Sequence, residues 1–506
     1  MAVSVQPGLH RPGMKRVAVV GGGVSGLTTA LHLKDRAAEV DGGLEVLVIE
    51  ASGAPGGNVR TQRAEGFVIE RGPNGYLDNV PTTPALVRRL GLEGRTQKAD
   101  ESAANRYLFR NGKLHLLPTG PIGFLRSPVL SLSGRLRVFG EPFAPARPGG
   151  GDETIFQFAS RRIGTEAASI LIDAMVSGVF AGNVHELSLA ASFPRMARME
   201  EEHGGLVKAM VAGMRAKRRA KKEARARRAR GEDVGELTRP GGPAGPGGTL
   251  TSFKEGLDTL PRALAEELGE IVRLETRVVA VSPSWAVRLA DGEIVRADAV
   301  VVAVPAPMAY PILADLDPEL ASAIAGISTA PLAVVALAYD AEALGGAPNG
   351  FGFLVPRGTG PRILGCLWDS SIFPGRAPEG KVLMRAMIGG AHDPEALTLE
   401  DREMVDQVRS DLRLTMGLEA EPLFTRVYRW RLGIGQYTVG HLERMETIHR
   451  CLEDLPGLWV AGSSFYGISM NACIEKAGHQ AGEILEYLSS RGSTSASTRR
   501  RRSPAR

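Results

Sequence analysis

Gly21, Gly23 and Gly26 stand in a GxGxxG spacing directly after the apolar run RVAVV at 16–20. In such a turn the first glycine permits a tight bend and the second lets backbone approach a pyrophosphate. The third lets helix and strand pack closely. Gly22 completes the loop, and Val24 and Ser25 open a helix whose N-terminus offers free N–H groups and a favourable dipole to phosphate. Glu50, with Ala51 beside it, closes the next apolar run. Its carboxylate can accept ribose hydroxyls and would repel the extra phosphate of NADP, which favours FAD or NAD. Gly56 and Gly57 can bring backbone against a cofactor, and Arg60 supplies a cation near its phosphates or ring. The turn Gly72, Pro73, Asn74, Gly75 is a second small-residue approach. Far along the chain, GLWVAGSSFYGISMNACIEKAG at 457–478 sets Gly462 and Ser463 at a strand end and Ile468, Ser469 and Met470 just before a helix. The positive end of that helix suits the edge of a flavin ring where reduction builds negative charge. Together the two ends read as one dinucleotide, held at its adenine by the first segment and at its reactive ring by the last. That points to a flavin oxidoreductase using FAD.

No Ser-His-Asp or paired-carboxylate pattern supplies a general base, so no catalytic side chain is assigned and the redox step is left to the flavin. Cys366, Cys451 and Cys473 are far apart and the histidines are scattered. No disulfide framework and no metal site is expected.

These residues need a βαβ unit to hold them: a strand at 16–20, a helix at 24–36 and a parallel strand at 44–50. A short helix at 84–90 stops at Gly91, and 105–117 reads as a hairpin turning at Asn111-Gly112. Helices are expected at 153–162 and 166–177, strands at 271–280 and 298–304, and further strands between 332 and 388. The strand LWVAG leads into the last helix. The fold class is therefore α/β. A Rossmann-like FAD-binding domain is discontinuous over 14–90, 251–308 and 450–490. A substrate-binding region takes 91–214 and 309–449.

The 506 residues, 43% of them hydrophobic, suffice for one large or two medium cores. The net charge of +5 is local: RAKRRAKKEARARRAR at 215–230 and the tail TRRRRSPAR supply much of it. A nucleic-acid binder spreads such charge over a folded face, so no specific nucleic acid is expected. The stretch 215–249 reads as a basic, then Gly/Pro-rich flexible insertion, and 491–506 as a disordered basic tail. Arginine clusters also attract anionic surfaces, so binding to acidic lipid or nucleic acid is the alternative role of this stretch. No apolar run reaches the ~20 residues of a spanning helix, and the start has no hydrophobic signal core. A cytoplasmic location follows as the expectation, with peripheral contact at the inner membrane face left open.

With GGGVSGL, GGNVRT, ERGPNGYL, NRYLFRNGKLHLLPTGP, FPRMARMEEEHGGLVKAM, GFGFLVP and RWRLGIGQYTVGHLERM in view, the chain resembles the oxygen-dependent protoporphyrinogen oxidases, within the wider amine oxidase and phytoene desaturase group. The resemblance covers nearly all of 15–488, and only the insertion and the tail depart from it. It implies an α+β substrate domain of the amine-oxidase type with a helical subdomain. By motif it adds Asn58 and Val278 to the flavin contacts, and it places Arg106 near a substrate propionate. Phe351 and Leu354 would clamp the macrocycle. An arginine fork suits a carboxylate and an aromatic ring suits a flat apolar substrate. The implied reaction removes six electrons from protoporphyrinogen IX to give protoporphyrin IX, with oxygen reduced to peroxide, in haem biosynthesis. Coproporphyrinogen III oxidation is the alternative, and another flavin amine oxidase or desaturase comes after it. A homodimer is compatible with the resemblance.

Overall fold

The computed structural model describes residues 14–118, 120–147, 149, 151–230 and 248–500. The Gly/Pro-rich part of the insertion, 231–247, and the tail end, 501–506, lie outside the described residues.

Strand β1 (Lys15–Val20) and strand β2 (Leu44–Ile49) flank helix α1 (Val24–Asp35). β1 is rich in buried valine, as a strand covered on both faces requires. It sits at the centre of a five-stranded parallel sheet with the order Val272–Arg273, β2, β1, Ala299–Val302, Leu458–Val460. Three separated stretches of chain thus supply one sheet. One face is covered by α1, Thr259–Leu268 and the C-terminal helix Met470–Arg500. The other is covered by Ala306–Leu313, Pro318–Ala325 and a small antiparallel sheet. The C-terminal helix runs on through Arg500, into the segment read from sequence as a disordered tail.

The run 271–280 is not one strand. Val272–Arg273 ends the parallel sheet, and Val278–Ser282 belongs to the small antiparallel sheet. Glu275, at φ 53°, turns the chain between them. The run IVRLETRVVA carries no glycine, proline or asparagine to mark the corner, so its sequence reads on as one strand.

A second, seven-stranded sheet has the order Phe424–Gly435, Thr329–Asp340, Lys381–Gly389, Ile363–Leu367, Gly352–Leu354, Arg106–Arg110, Lys113–Leu116. The hairpin joining its last two strands turns at Asn111 and Gly112, both at positive φ (50° and 75°), the geometry Asn-Gly favours. On one face Phe353, Cys366, Met384, Ala386 and Ile388 bury against Met404, Val408 and Leu412 of the helix Asp401–Met416. The opposite face looks toward the nucleotide half. A helical subdomain, Ile155–Ile163 to Leu206–Ala229, closes one side. Its first helix starts at a Thr154/Gln157 capping box. The fully buried Arg162 pairs with Glu141, which also accepts from the N–H groups of Leu206 (2.8 Å) and Val207 (3.0 Å). That carboxylate anchors the start of the basic helix.

Candidate active site

The three loop glycines separate by what surrounds them. Gly21 sits at φ 109°, and a Cβ there would lie 2.6 Å from the Ala303 carbonyl oxygen. A Cβ on Gly26 would overlap the Gly21 carbonyl oxygen. Both glycines are demanded by the chain packing on itself. A Cβ on Gly23 would meet nothing within 4 Å. The space kept open beside Gly23, at the start of α1, is where a pyrophosphate would lie against backbone N–H groups. Val24 and Ser25 are buried in the first turn of α1. Gly56 donates its N–H to the Gly22 carbonyl at 2.8 Å, and Gly57 comes against the Gly23 Cα, so the second glycine loop closes over the first.

Glu50 ends beside this space. Its Oε2 accepts the Gly22 N–H at 2.7 Å, and its Oε1 accepts the Ser52 N–H (2.8 Å) and hydroxyl (2.6 Å). Ala51 is exposed at the rim. The Thr276 N–H donates to the Glu50 carbonyl at 2.9 Å, which brings the strand of Val278 alongside. Arg60 lies differently from a free cation at the cofactor. Its Nε donates to Gly57 O (3.0 Å), and its Nη2 to Ser52 Oγ (2.9 Å) and Ala54 O (2.7 Å). It closes the 52–57 loop on itself.

At the ring end, Ala461 N–H joins Val302 O at 2.9 Å, and Gly462 turns out of the sheet at φ 108°. The Tyr437 hydroxyl donates to Ser463 O (2.5 Å) and accepts the Gly467 N–H (2.8 Å). One phenol thereby bridges both sides of the 463–467 turn. His441 stacks on Tyr437, with centroids 4.2 Å apart. Burial, with Arg444 beside it, holds the imidazole pKa down to about 4. Ile468 packs on the helical subdomain, and Met470 on the nucleotide core. Ser469 Oγ accepts the Ala472 N–H at 3.1 Å as a cap on the last helix. Asn471 accepts the Thr83 hydroxyl (2.7 Å) and donates to Leu77 O (2.8 Å), tying this helix start to the chain just after the 72–75 turn.

That turn is held from below. Asn58 Nδ2 donates to Gly433 O at 3.0 Å. A Cβ on Gly72 would lie 2.5 Å from Asn58 O, and one on Gly75 2.5 Å from Thr251 O, so neither admits a side chain. Pro73 is exposed, while both side-chain polar atoms of Asn74 are buried without a protein partner. Buried polar atoms cost free energy unless paired, so this amide is available to a ligand. The open cradle at Gly23 and the unpaired amide at Asn74 both fit a flavin dinucleotide.

The seven-stranded sheet brings the substrate candidates together. Arg106 pairs in register with Gly352, and Leu354 with Leu108. The row Arg106, Gly352, Leu367, Arg385 and the row Leu108, Leu354, Gly365, Met387 share one face by strand alternation. Leu354, Leu367 and Met387 are only partly buried there. The Arg106 guanidinium sits 4.8 Å over the Phe351 ring. Among the described residues no carboxylate pairs with it. Phe351 also packs with Ile372 and Phe373, and Leu354 meets Gly178 of the helical subdomain.

Four charges lie buried on the same face. Arg376 pairs with Glu70 at 2.9 Å, and Arg385 pairs with Asp369. Glu70 also accepts the Thr61 hydroxyl (2.6 Å) and the Leu257 N–H (2.8 Å). Tyr437, Asn471 and Arg385 were not singled out from sequence. The only trace of Arg385 is a charge inside the apolar run VLMRAMIGG at 382–390. Tyr437 and Asn471 act through hydrogen bonds to distant backbone, which sequence spacing does not encode.

The family described as flavin containing amine oxidoreductase matches residues 24–485. The chain is 30% identical to coproporphyrinogen III oxidase of Bacillus subtilis, over 94% of this chain and 99% of that one. It is 32% identical to the chloroplastic protoporphyrinogen oxidase of Oryza sativa, over 93% and 88%. Among solved structures, one from Exiguobacterium sp. 255-15, provisionally named a protoporphyrinogen oxidase, superposes with a TM-score of 0.77 at 25% identity, covering 93% and 98%. A putrescine oxidase superposes at 0.66 with 16% identity, which speaks to the fold alone. An α/β fold of this type, the open cradle at Gly23 and a match over most of its length place the chain in the flavin containing amine oxidoreductase family, as an oxidoreductase.

Proposed function

We propose that this protein binds FAD and oxidises protoporphyrinogen IX to protoporphyrin IX, with oxygen as acceptor. The observation that carries the substrate is the unpaired Arg106 guanidinium stacked on Phe351 at the rim of a partly open apolar floor. A fork-shaped cation beside a flat apolar surface suits a tetrapyrrole with carboxylate arms. When bound, FAD supplies the two-electron oxidation, repeated three times per macrocycle.

The chain's own residues bind and orient. Gly21–Gly26 and Glu50 receive the pyrophosphate and ribose, with Ala51, Gly57 and Val278 along the adenosine side. Arg60 keeps the 52–57 loop closed. Gly72–Gly75, Asn58, Gly462, Ser463 and Ile468–Met470 face the ring. The N-terminus of the last helix favours charge at the ring edge. Leu354 and Phe351 hold the macrocycle, while Arg106 fixes its rotation through a carboxylate. Arg106→Ala is expected to raise KM for a porphyrinogen at least tenfold while flavin content stays at the wild-type level. Unchanged KM removes Arg106 from the site.

Coproporphyrinogen III is the second reading. The alignment that spans 99% of the Bacillus subtilis coproporphyrinogen III oxidase favours it.

Peripheral contact with an acidic membrane surface is part of the proposal. Among the described residues no helix is long and apolar enough to cross a membrane. Helix Leu132–Phe139 instead turns Leu132 (63% exposed), Leu136 (59%) and Phe139 (42%) to solvent at i, i+4 and i+7. Phe143, 90% exposed, follows it, and Ile122 and Leu125 lie exposed on the preceding helix Pro121–Arg126. The basic helix Leu206–Ala229, with Arg215, Arg218, Arg219 and Lys222 exposed, starts against Glu141 beside Phe143. Apolar side chains flanked by arginine and lysine suit an anionic bilayer surface.

A further inference from the structure

Arg385 lies on the sheet face that carries the substrate floor, with Leu367 as its register partner and Met387 two residues on. Its side chain is 1% exposed. The Nη1 group donates to two backbone carbonyls of another part of the chain, Glu70 O at 2.8 Å and Gly72 O at 2.9 Å. Its Nε and Nη2 are taken by the two oxygens of Asp369, itself 2% exposed. One guanidinium therefore clamps the backbone on both sides of Arg71, directly before the turn 72–75. Asp369 fixes the orientation of the clamp. No other described side chain donates to the Gly72 carbonyl.

We propose that Arg385 is a positioning residue that sets the height of the 72–75 turn, and with it the flavin ring, above the substrate floor. The inference rests on the flavin placement proposed above. Three features assign this role instead of simple core stability. The contacts are to carbonyl oxygens, so only a buried donor can replace them. The planar fork reaches the two carbonyls and the carboxylate from one rigid group, which an ammonium cannot match. The charges on this face also balance, Arg385 against Asp369 and Arg376 against Glu70. Arg385 thus removes the penalty of a buried Asp369 without leaving net charge beneath the ring.

The test is amide hydrogen exchange with flavin titration, which needs no porphyrinogen. Arg385→Lys keeps the charge and loses the fork. Arg385→Met/Asp369→Leu removes the pair as a unit and guards against an uncompensated buried carboxylate. In both variants the Arg71 amide, which donates to Arg60 O at 2.8 Å between the two clamped carbonyls, is expected to exchange at least tenfold faster in flavin-free protein. FAD should bind at least tenfold more weakly, and β1 and Lys381–Gly389 should exchange at the wild-type rate. Wild-type exchange at the Arg71 amide in either folded variant overturns the proposal. Acceleration spread equally over β1 and Lys381–Gly389 also overturns it, because that marks a stability role alone. If the wild-type protein oxidises no porphyrinogen, the substrate reading fails while the exchange result still decides the role of Arg385.

Discussion

Gly23→Ala separates cofactor binding from folding. Gly23 has φ −73° and ψ 175°, an ordinary extended conformation, and a methyl group added there would meet nothing within 4 Å. The folded chain therefore accepts alanine without strain. Two small effects on stability oppose each other. Alanine reduces the freedom of the unfolded chain, worth about 0.4–1 kcal/mol. It is also a poorer N-cap than glycine, by roughly a similar amount. The net change in the flavin-free protein should stay within about 1 kcal/mol. The cofactor is affected far more, because the methyl stands where phosphate approaches backbone N–H groups. Losing one charge-assisted hydrogen bond is worth about 1.5–3 kcal/mol, or roughly tenfold to 150-fold in affinity. Gly26→Ala should behave oppositely and destabilise the apoprotein itself, since its Cβ would overlap Gly21 O. The assay is thermal unfolding of both apoproteins, together with FAD titration by flavin fluorescence. Wild-type FAD affinity in a folded Gly23→Ala protein would refute the placement of the pyrophosphate.

Tyr437→Phe removes the only described side chain that bridges Ser463 O and Gly467 N–H. It should weaken FAD binding by about 1–3 kcal/mol, read by the same titration. Stability should depend on pH through His441. Its folded pKa of about 4 lies below its unfolded value near 6.5. The contribution is complete above about pH 6.5 and falls as pH drops toward 4, by about 3 kcal/mol in total. Denaturant midpoints in His441→Phe should lose that part of the acid sensitivity, and an identical pH profile would contradict the assignment. Leu136→Asp with Phe139→Asp should abolish co-sedimentation with phosphatidylglycerol vesicles and leave FAD binding intact. Wild-type sedimentation would remove the membrane surface.

The nucleotide half was legible because its chemistry is local. A turn that must bend, open and pack places glycines at fixed spacing, and Glu50 follows at the end of the next strand. The Asn111-Gly112 hairpin was legible for the same reason. The corner at Glu275 was not, since no glycine, proline or asparagine marks it in the sequence. Arg60 shows the limit of reading residue type: a cation beside a phosphate loop was foreseeable, but its engagement by Gly57, Ser52 and Ala54 was not. Arg106, Phe351 and Leu354 became neighbours only through the parallel pairing of strands more than two hundred residues apart in sequence. The supports from Tyr437, Asn471 and Arg385 reach across the fold to backbone atoms, which carry no sequence signature.

Aerobic and anaerobic turnover of the purified, FAD-loaded protein with protoporphyrinogen IX and coproporphyrinogen III decides whether this site oxidises a porphyrinogen. Porphyrin fluorescence and peroxide are followed together, with spontaneous oxidation subtracted. Oxygen-dependent porphyrin formation with peroxide is expected, faster for protoporphyrinogen IX. Preference for coproporphyrinogen III would make that porphyrinogen the substrate, and no porphyrin above the spontaneous rate from either would show that the protein is not a porphyrinogen oxidase.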